Sequence, residues 1–212
     1  MMVEEEREKR VQWIYSSKDN RELEERYDVW AKDYDTDLHE GFGWLGPRKA
    51  VECFMKYVPK DARVLDSGAG TGLCGELLAQ QGYTNLVAMD ISKGMLEEAR
   101  KKNAYQQFDQ MVMGETLDYP TDSFDAVISV GVMTVGHAPA SSLDELVRVV
   151  KPGGYIIFSL RPDVYRDSGF KARQESLEVE GKWKLVEEGE PFQTLPAGEP
   201  DVLHQDWVYQ VL

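Results

Sequence analysis

The chain has 212 residues and a formal net charge of −14, and 42% of its residues are hydrophobic and 29% charged. This length and composition indicate one globular domain with a sizeable core, and the acidic charge argues against a nucleic-acid partner, whose binding depends on clustered Lys and Arg. The charged start MMVEEEREKR is unlike a secretory signal, and no apolar run could span a membrane. Cys53 and Cys74 cannot form a disulfide framework or a zinc site. We therefore expect a cytoplasmic protein, or alternatively a nuclear one, without membrane contact or a metal.

The amino-terminal part of the sequence predicts helices after a loosely helical segment at 1–18. Asp19, with Glu22 three residues later, is an aspartate version of the capping box that starts a helix. Gly46 and Pro47 suit the N-cap and the first position of a following helix. Between these signals, one helix face carries an apolar stripe with spacings of three and four, formed by Leu23, Tyr27, Trp30, Ala31 and Tyr34.

From Arg63 onwards, strand patterns alternate with helix patterns. Strands are predicted at 63–66, 85–90, 108–113, 124–130 and 154–161, with an irregular segment at 114–123. Helices are predicted at 71–81, 92–104 and 139–150, the second with Ser92 as its N-cap. A polar helix around 168–180 precedes strands at 182–190 and 205–212, which fit an antiparallel hairpin at one sheet edge. The alternation predicts an α/β fold with a mainly parallel sheet and helices on both faces.

The segment VLDSGAGTG, from Val64 to Gly72, reads as a strand followed by a loop of alternating glycines. Its spacing is G-x-G-x-G, whereas the dinucleotide pattern is G-x-G-x-x-G and would need a glycine at Leu73. A pyrophosphate binds where a helix N-terminus favours negative charge, and Asp66, two residues before the first glycine, would oppose it. The loop therefore favours a nucleoside that carries positive charge.

Acidic residues follow two further predicted strands. Asp90 lies at a strand's carboxyl end, where sheets of this type bind ligands, and could accept hydrogen bonds from both hydroxyls of a ribose. A free strand-end charge or a helix cap would also explain it. Glu115 could accept a hydrogen bond from an adenine amino group, with the ring between Ile91 and Leu117, or could simply be solvated.

These segments together resemble the class I S-adenosylmethionine-dependent methyltransferases. The resemblance extends from about Tyr27 to Leu160 and follows the order of the family, through VLDSGAGTG, AMDIS, MGETLDYPTDSFDAVIS and LVRVVKPGGYIIFSL. The segments GWLGPRKAVECF and KWKLVEEGEPF…WVYQV resemble a methyltransferase-like branch of that family. The resemblance implies a Rossmann-like fold with a seven-stranded, mainly parallel sheet, helices on both faces and an antiparallel last strand beside the fifth. We expect an N-terminal segment and helical lid at 1–45 and a methyltransferase domain at 46–212, within a single domain.

The resemblance also implies S-adenosyl-L-methionine as the cofactor and assigns residues to it. At the methionine end, with Asp66 near the ammonium group, it places Asp66, Gly68, Ala69, Gly70, Val130 and Gly131. At the ribose and the adenine it places Asp90, Ile91, Met95, Glu115, Thr116 and Leu117. The aromatic residues expected to cover the cofactor, or else to be ordinary core residues, are Tyr27, Trp30 and Tyr34.

Methyl transfer requires an acceptor held in line with the methyl group, and a base only if the acceptor loses a proton. We expect His137 to contact the acceptor or to act as this base, although a capping role is the alternative; Tyr34 and Trp44 are other acceptor-side residues. The sequence lacks the segments typical of nucleic-acid methylation, which favours a small molecule or a protein side chain.

Two other functions stay open at this point. One is a cofactor-binding module without acceptor chemistry of its own, and the other is an NAD-dependent oxidoreductase, which the glycine spacing and Asp66 oppose. The sequence does not indicate an oligomeric state.

Overall fold

A computed structural model describes residues 2–134 and 136–212, without the side chains of residues 2–6 and 8. The N-terminal elements are α1 (Met2–Tyr15), α2 (Asn20–Trp30), a π-helical segment (Thr36–Gly41) and α3 (Gly46–Phe54). The alternating part contains β1 (Arg63–Ser67), α4 (Leu73–Gln80), β2 (Asn85–Asp90), α5 (Lys93–Lys101), β3 (Gln107–Gln110), β4 (Phe124–Ser129), α6 (Ser142–Val149) and β5 (Val150–Leu160). The last elements are α7 (Pro162–Asp167), α8 (Phe170–Val179), β6 (Trp183–Glu188), β7 (Phe192–Gln193) and β8 (Leu203–Val211).

The described strands form one main sheet in the order β3-β2-β1-β4-β5-β8-β6, and β7 pairs with β8 beside this path. The pairs from β3 to β5 are parallel. By contrast, β8 runs antiparallel to both of its neighbours, β5 and β6. The predicted fold is therefore confirmed, including the last strand inserted beside the fifth.

A hydrophobic core lies on each face of the sheet because successive strand residues point to opposite sides. Val64 and Ile157 share one core with residues of α3, α4 and α5. Their neighbours Leu65 and Phe158 lie in the other core, with residues of α6 and α8. Both faces of the sheet are thus covered, as its near-continuous apolar strands require.

Several element boundaries differ from the predicted ones for identifiable reasons. The helix predicted from residue 71 begins at Leu73, because Gly72 adopts a left-handed φ of 86° that a helix cannot continue through. The helix after Asp19 ends at Trp30 rather than extending to Tyr34. The N-cap of α3 is Leu45, one residue before the predicted position. The short helix α7, which starts with Pro162, was not predicted.

The predicted helix caps at Asp19 and Ser92 are confirmed. The Asp19 carboxylate accepts a hydrogen bond from the Glu22 amide at 2.9 Å, and the Ser92 hydroxyl accepts one from the Met95 amide at 3.0 Å. The segment expected to be loosely helical at 1–18 is mostly the helix α1; Met1 lies outside the described residues.

The described residues contain neither a membrane-spanning helix nor a cluster of metal ligands. None of their helices has the length and the apolar character that a bilayer-spanning helix needs. The same residues contain no group of His, Cys, Asp or Glu side chains arranged to hold a metal ion.

Candidate active site

A cavity, which we call the cofactor cavity, lies at the carboxyl ends of β1, β2 and β4. The loops after these strands supply most of its floor, and α2 lies across it. The predicted site residues that line it are Tyr27, Tyr34, Gly68, Ala69, Gly70, Asp90, Ile91, Met95, Val130, Gly131 and His137. Sequence reasoning thus brought together residues from five separate parts of the chain.

The glycine loop allows the backbone to form a wall of this cavity. Gly68 and Gly70 have φ values of 79° and 54°, in the left-handed region that glycine tolerates best. A Cβ atom on Gly68 would come within 2.2 Å of Val132 Cγ2, so no side chain fits there. A Cβ atom on Gly70 would meet no described atom within 4 Å. Space is therefore open beside Gly70, where the loop borders the cavity.

Asp90 connects the glycine loop to the start of α5. One carboxylate oxygen accepts a hydrogen bond from the Gly70 amide at 2.8 Å, and the other accepts one from the Ser92 amide at 2.9 Å. Burial raises the pKa of Asp90 to about 6, and the two amide bonds act in the opposite direction. Each carboxylate oxygen has a second lone pair. Asp90 can therefore fix the loop and accept two further hydrogen bonds from a diol.

Tyr27 and His137 form a polar pair at the edge of the cofactor cavity. The Tyr27 hydroxyl and His137 Nε2 are 2.8 Å apart, and the two rings pack edge to face at 5.8 Å. Burial raises the pKa of Tyr27 well above its ordinary value, so the phenol is neutral. It donates its proton to Nε2 in the neutral imidazole tautomer that carries its hydrogen on Nδ1. The pair can therefore pass a proton.

The comparisons with known proteins agree with this geometry. Residues 65–158 match the family model described as a methyltransferase domain. Methyltransferase-like protein 27 of Homo sapiens is 36% identical over 166 residues, which cover 74% of this chain and 66% of that protein. The chain belongs to the class I S-adenosylmethionine-dependent methyltransferases. The similarity to a methyltransferase-like protein also confirms the branch that the sequence resembles.

Other relatives of this methyltransferase-family chain match over shorter stretches or by structure. A demethylmenaquinone methyltransferase of Clavibacter sepedonicus is 46% identical over 98 residues, 45% of this chain and 39% of that protein. The chain thus spans no more than about two thirds of the length of these two relatives.

Two solved structures show the same fold. One is a chain of the complex between the Haloferax volcanii Trm112 methyltransferase activator and a methyltransferase, with a TM-score of 0.64 and 18% identity over 87% of this chain and 97% of that one. The other is the [4+2]-cyclase SpnF, with a TM-score of 0.71 and 15% identity over 91% of this chain and 96% of that one. Because one fold serves a methyltransferase and a cyclase, the reaction has to be argued from the site.

The cofactor of this family is S-adenosylmethionine, and the cavity of this family member fits it. The open space beside Gly70 lets the backbone approach a ligand closely. Asp90 offers two acceptor oxygens for the ribose hydroxyls, and the apolar side chains of Ile91 and Met95, which follow it in the chain, line the same wall. These residues suit a nucleoside with an apolar base and a polar sugar.

Asp66 lies away from the cofactor cavity, unlike in the arrangement expected from the family. It shares the sheet face of Val64, which packs towards α4 and α5, and it is only 2% exposed. The Tyr105 hydroxyl donates a hydrogen bond to Asp66 at 2.5 Å and accepts one from the Gly75 amide at 3.0 Å. Burial raises the pKa of Asp66 to about 7. Asp66 therefore anchors the start of α4 from behind the loop.

The residues expected to hold the adenine after β3 also lie elsewhere. Glu115 and Thr116 are exposed, and Leu117 is 2% exposed within the core. The cavity is lined instead by Met111 to Met113. This shift arises because β3 ends at Gln110, three residues before the predicted end, so the chain crosses the strand ends earlier.

The sequence did not predict Met111 to Met113 as residues of the cavity wall. An apolar run directly after a strand was the signal that could have identified them. Trp30, which was predicted, does not line the cofactor cavity and is 4% exposed beneath α1. The remaining wall residues that sequence reasoning did not assign to the cofactor are Asn20, Leu23, Trp44, Pro47, Thr71, Leu73, Cys74, Met89, Val132 and Ala138.

The helix α2 is held across the cofactor cavity by hydrogen bonds to α5. Asp28 of α2 accepts one from the Ser92 hydroxyl at 2.6 Å and one from the Gly94 amide at 2.7 Å. Just after α2, Asp35 pairs with the Lys102 ammonium group at 2.7 Å and bonds the Thr71 hydroxyl. These contacts fix the position of α2 and of the segment that follows it against α5 and the glycine loop.

A second cavity adjoins the cofactor cavity. Tyr27, Tyr34, Trp44 and Gly131 line both of them. The second cavity extends beneath α1 and the π-helical segment, and reaches the chain between β7 and β8. It offers room for another molecule next to the cofactor.

Proposed function

We propose that this chain transfers a methyl group from S-adenosylmethionine to a small molecule or a protein side chain. The observation that carries the proposal is one cavity in which the glycine loop, Asp90 and the Tyr27–His137 pair meet at the strand ends. The cofactor, when bound, supplies a methyl group that its sulfonium has already activated. The chain has to bind, orient and enclose the reactants.

We assign the cofactor to the described wall residues. Gly68, Ala69 and Gly70 hold the methionine moiety together with Val130 and Gly131. The residues for the nucleoside are Asp90, Ile91, Met95 and Met111 to Met113. Met111 to Met113 take the place of Glu115, Thr116 and Leu117, which do not line the cofactor cavity. Residues 1–45 act as the lid, with Tyr27 and Tyr34 facing the cofactor.

His137 acts as a base through Tyr27 when the acceptor must lose a proton. The acceptor gives its proton to the Tyr27 oxygen while the Tyr27 proton moves to His137 Nε2. This transfer requires the tautomer of His137 that carries its proton on Nδ1. The high pKa of Tyr27 keeps the phenol neutral between turnovers, so Tyr27 passes the proton without holding a charge.

Isothermal titration calorimetry with S-adenosylmethionine, S-adenosylhomocysteine and NAD in parallel tests this proposal. We expect the two adenosyl ligands to bind and NAD to give no heat. Binding of NAD alone would refute the assignment and favour an oxidoreductase. Binding of the adenosyl ligands without methyl transfer to any acceptor would favour a cofactor-binding module.

Asp90→Asn is the matched variant for this titration. Asparagine keeps one acceptor oxygen, so one of the Gly70 and Ser92 amides keeps its partner, whereas alanine would leave both amides without one. Hydrogen bonds to a charged acceptor contribute roughly 1.5–3 kcal/mol, so affinity for S-adenosylhomocysteine should fall about ten- to a hundredfold. Unchanged affinity would remove Asp90 from the ribose site.

A further inference from the structure

The second cavity is an interior space. Its walls include Ile14, Trp30 and Leu38, which are 2%, 4% and 6% exposed, and Thr194 and Leu195, which are 1% and 7% exposed. A side chain on the surface of another folded protein could not reach such a space without unfolding around it. These buried walls favour a small molecule as the occupant.

Aromatic rings form the side of the second cavity that faces the cofactor. Tyr34 packs edge to face against Trp30 at 4.8 Å and against Trp44 at 6.1 Å. Tyr27 stacks on Trp30 with an interplanar angle of 8°. These rings line the second cavity, and flat aromatic molecules make favourable contacts with both the faces and the edges of such rings.

The far end of the second cavity contains buried polar atoms that need a partner. Thr134 Oγ1, Thr194 Oγ1 and His204 Nδ1 have no hydrogen-bond partner within the described part of the chain. All three residues line the cavity and are at most 8% exposed. The great majority of buried polar atoms in native proteins are paired, so three orphaned atoms around one space indicate that a bound molecule supplies the partners.

The charges around the second cavity argue against an ionic occupant. Burial lowers the pKa of His204 to about 4 and raises that of Tyr15 to about 12, so both are neutral near pH 7. Glu199 lines the cavity and lies within electrostatic reach of Arg161, which also bonds Asp163 at 2.6 Å. A charged molecule would lose its hydration here, and an anion would in addition lie beside the Glu199 carboxylate.

We propose that the second cavity binds the methyl acceptor. This acceptor is a small, flat, uncharged aromatic alcohol of the phenol class, with its reacting hydroxyl at the cofactor end and a second polar group at the far end. The inference rests on the proposed methyltransferase function. The acceptor's oxygen forms a bond to the cofactor's methyl carbon as the carbon–sulfur bond breaks. The sulfonium becomes a neutral thioether, and the phenol proton passes through Tyr27 to His137.

Binding of three probes of one shape tests the proposal: 2-naphthol, 2-naphthoate and 2-naphthylmethylammonium. Each is titrated into the protein saturated with S-adenosylhomocysteine, with calorimetric detection. We expect 2-naphthol to bind at least tenfold more tightly than either ion. An ion that binds as tightly as 2-naphthol, or a lack of 2-naphthol binding, would overturn the proposal.

Thr194→Val then locates the binding site. Valine has the shape of threonine without the hydroxyl. Loss of one hydrogen bond should weaken binding of naphthalene-2,6-diol, whose second hydroxyl reaches the far end of the cavity, about fivefold. The control is Thr121→Val, at an exposed position in a turn outside both cavities, which should leave the affinity unchanged. Equal affinities in the two variants would place the probe elsewhere.

The same titrations separate this proposal from the function on which it rests. Protein that binds S-adenosylhomocysteine but not 2-naphthol contradicts the acceptor class alone. Protein that fails to bind S-adenosylhomocysteine contradicts the methyltransferase proposal, whatever the naphthyl probes do.

Discussion

Gly70→Ala separates the cost of a strained loop from the cost of a blocked cofactor cavity. Alanine at a φ of 54° is strained by about 1–2 kcal/mol. The added Cβ meets no described atom within 4 Å, so the protein itself has room for it. A ligand that lies against the loop does not, and a contact of this kind costs roughly 1–3 kcal/mol. We therefore expect S-adenosylhomocysteine affinity to fall about ten- to a hundredfold, while the protein stays folded.

The matched control is Gly181→Ala. Gly181 has a φ of 67°, an added Cβ there also meets no described atom within 4 Å, and the residue follows α8, away from the cofactor cavity. Urea unfolding should show a similar loss of stability in both variants. Calorimetry with S-adenosylhomocysteine should show a loss of affinity in Gly70→Ala alone. Wild-type affinity in Gly70→Ala would refute the assignment of this loop to the cofactor.

Three further predictions concern stability, closure and proton transfer. The folded pKa of Asp66 is raised from 3.8 to about 7, so the folded state holds the proton more tightly than the unfolded state. The contribution of Asp66 to the free energy of unfolding therefore falls as pH rises from 4 to 7, by up to about 1.4 kcal/mol per pH unit. Asp66→Asn should remove that slope in urea unfolding, and a variant with the wild-type slope would contradict the role of burial. Asp28→Ala removes two hydrogen bonds between α2 and α5, so hydrogen exchange of α2 amides should accelerate roughly tenfold. The control, Glu25→Ala, changes an exposed site on the same helix and should alter the exchange rate little. Equal exchange rates in the two variants would argue that these bonds do not hold α2. Tyr27→Phe should lower kcat for a phenol by about a hundredfold with unchanged cofactor affinity. Because Tyr27 and His137 act as a unit, adding His137→Gln should reduce kcat little further. Multiplicative losses in the double variant would exclude proton transfer through Tyr27 to His137.

Much of the fold and part of the site followed from local patterns. The ends of β2 and β4 were predictable because apolar runs end there and turn residues follow, and this placed Asp90 and Gly131 at one edge of the sheet. The caps at Asp19 and Ser92 were predictable because each depends on residues within one helical turn.

The rest of the site depends on which way a side chain points and on distant contacts. Asp66 and Ser67 are neighbours in β1, and the sheet's register alone decides which one packs against α4. The second cavity joins Ile14 to Leu195 and His204, and no local pattern connects positions so far apart in the chain. Its orphaned polar atoms are visible only once the packing is known.

The position of β8 in the sheet has a consequence for synthesis on the ribosome. β8 lies between β5 and β6, although both precede it in the chain. Until β8 has emerged, β6 therefore lacks its neighbour and β5 is paired with β4 alone. Until then β5 presents an unpaired edge that includes Ile156 and Phe158, both fully buried in the finished protein. An exposed apolar edge is a template for pairing with other chains. Nascent chains that stall before Leu203 should therefore be the species that chaperones recognise.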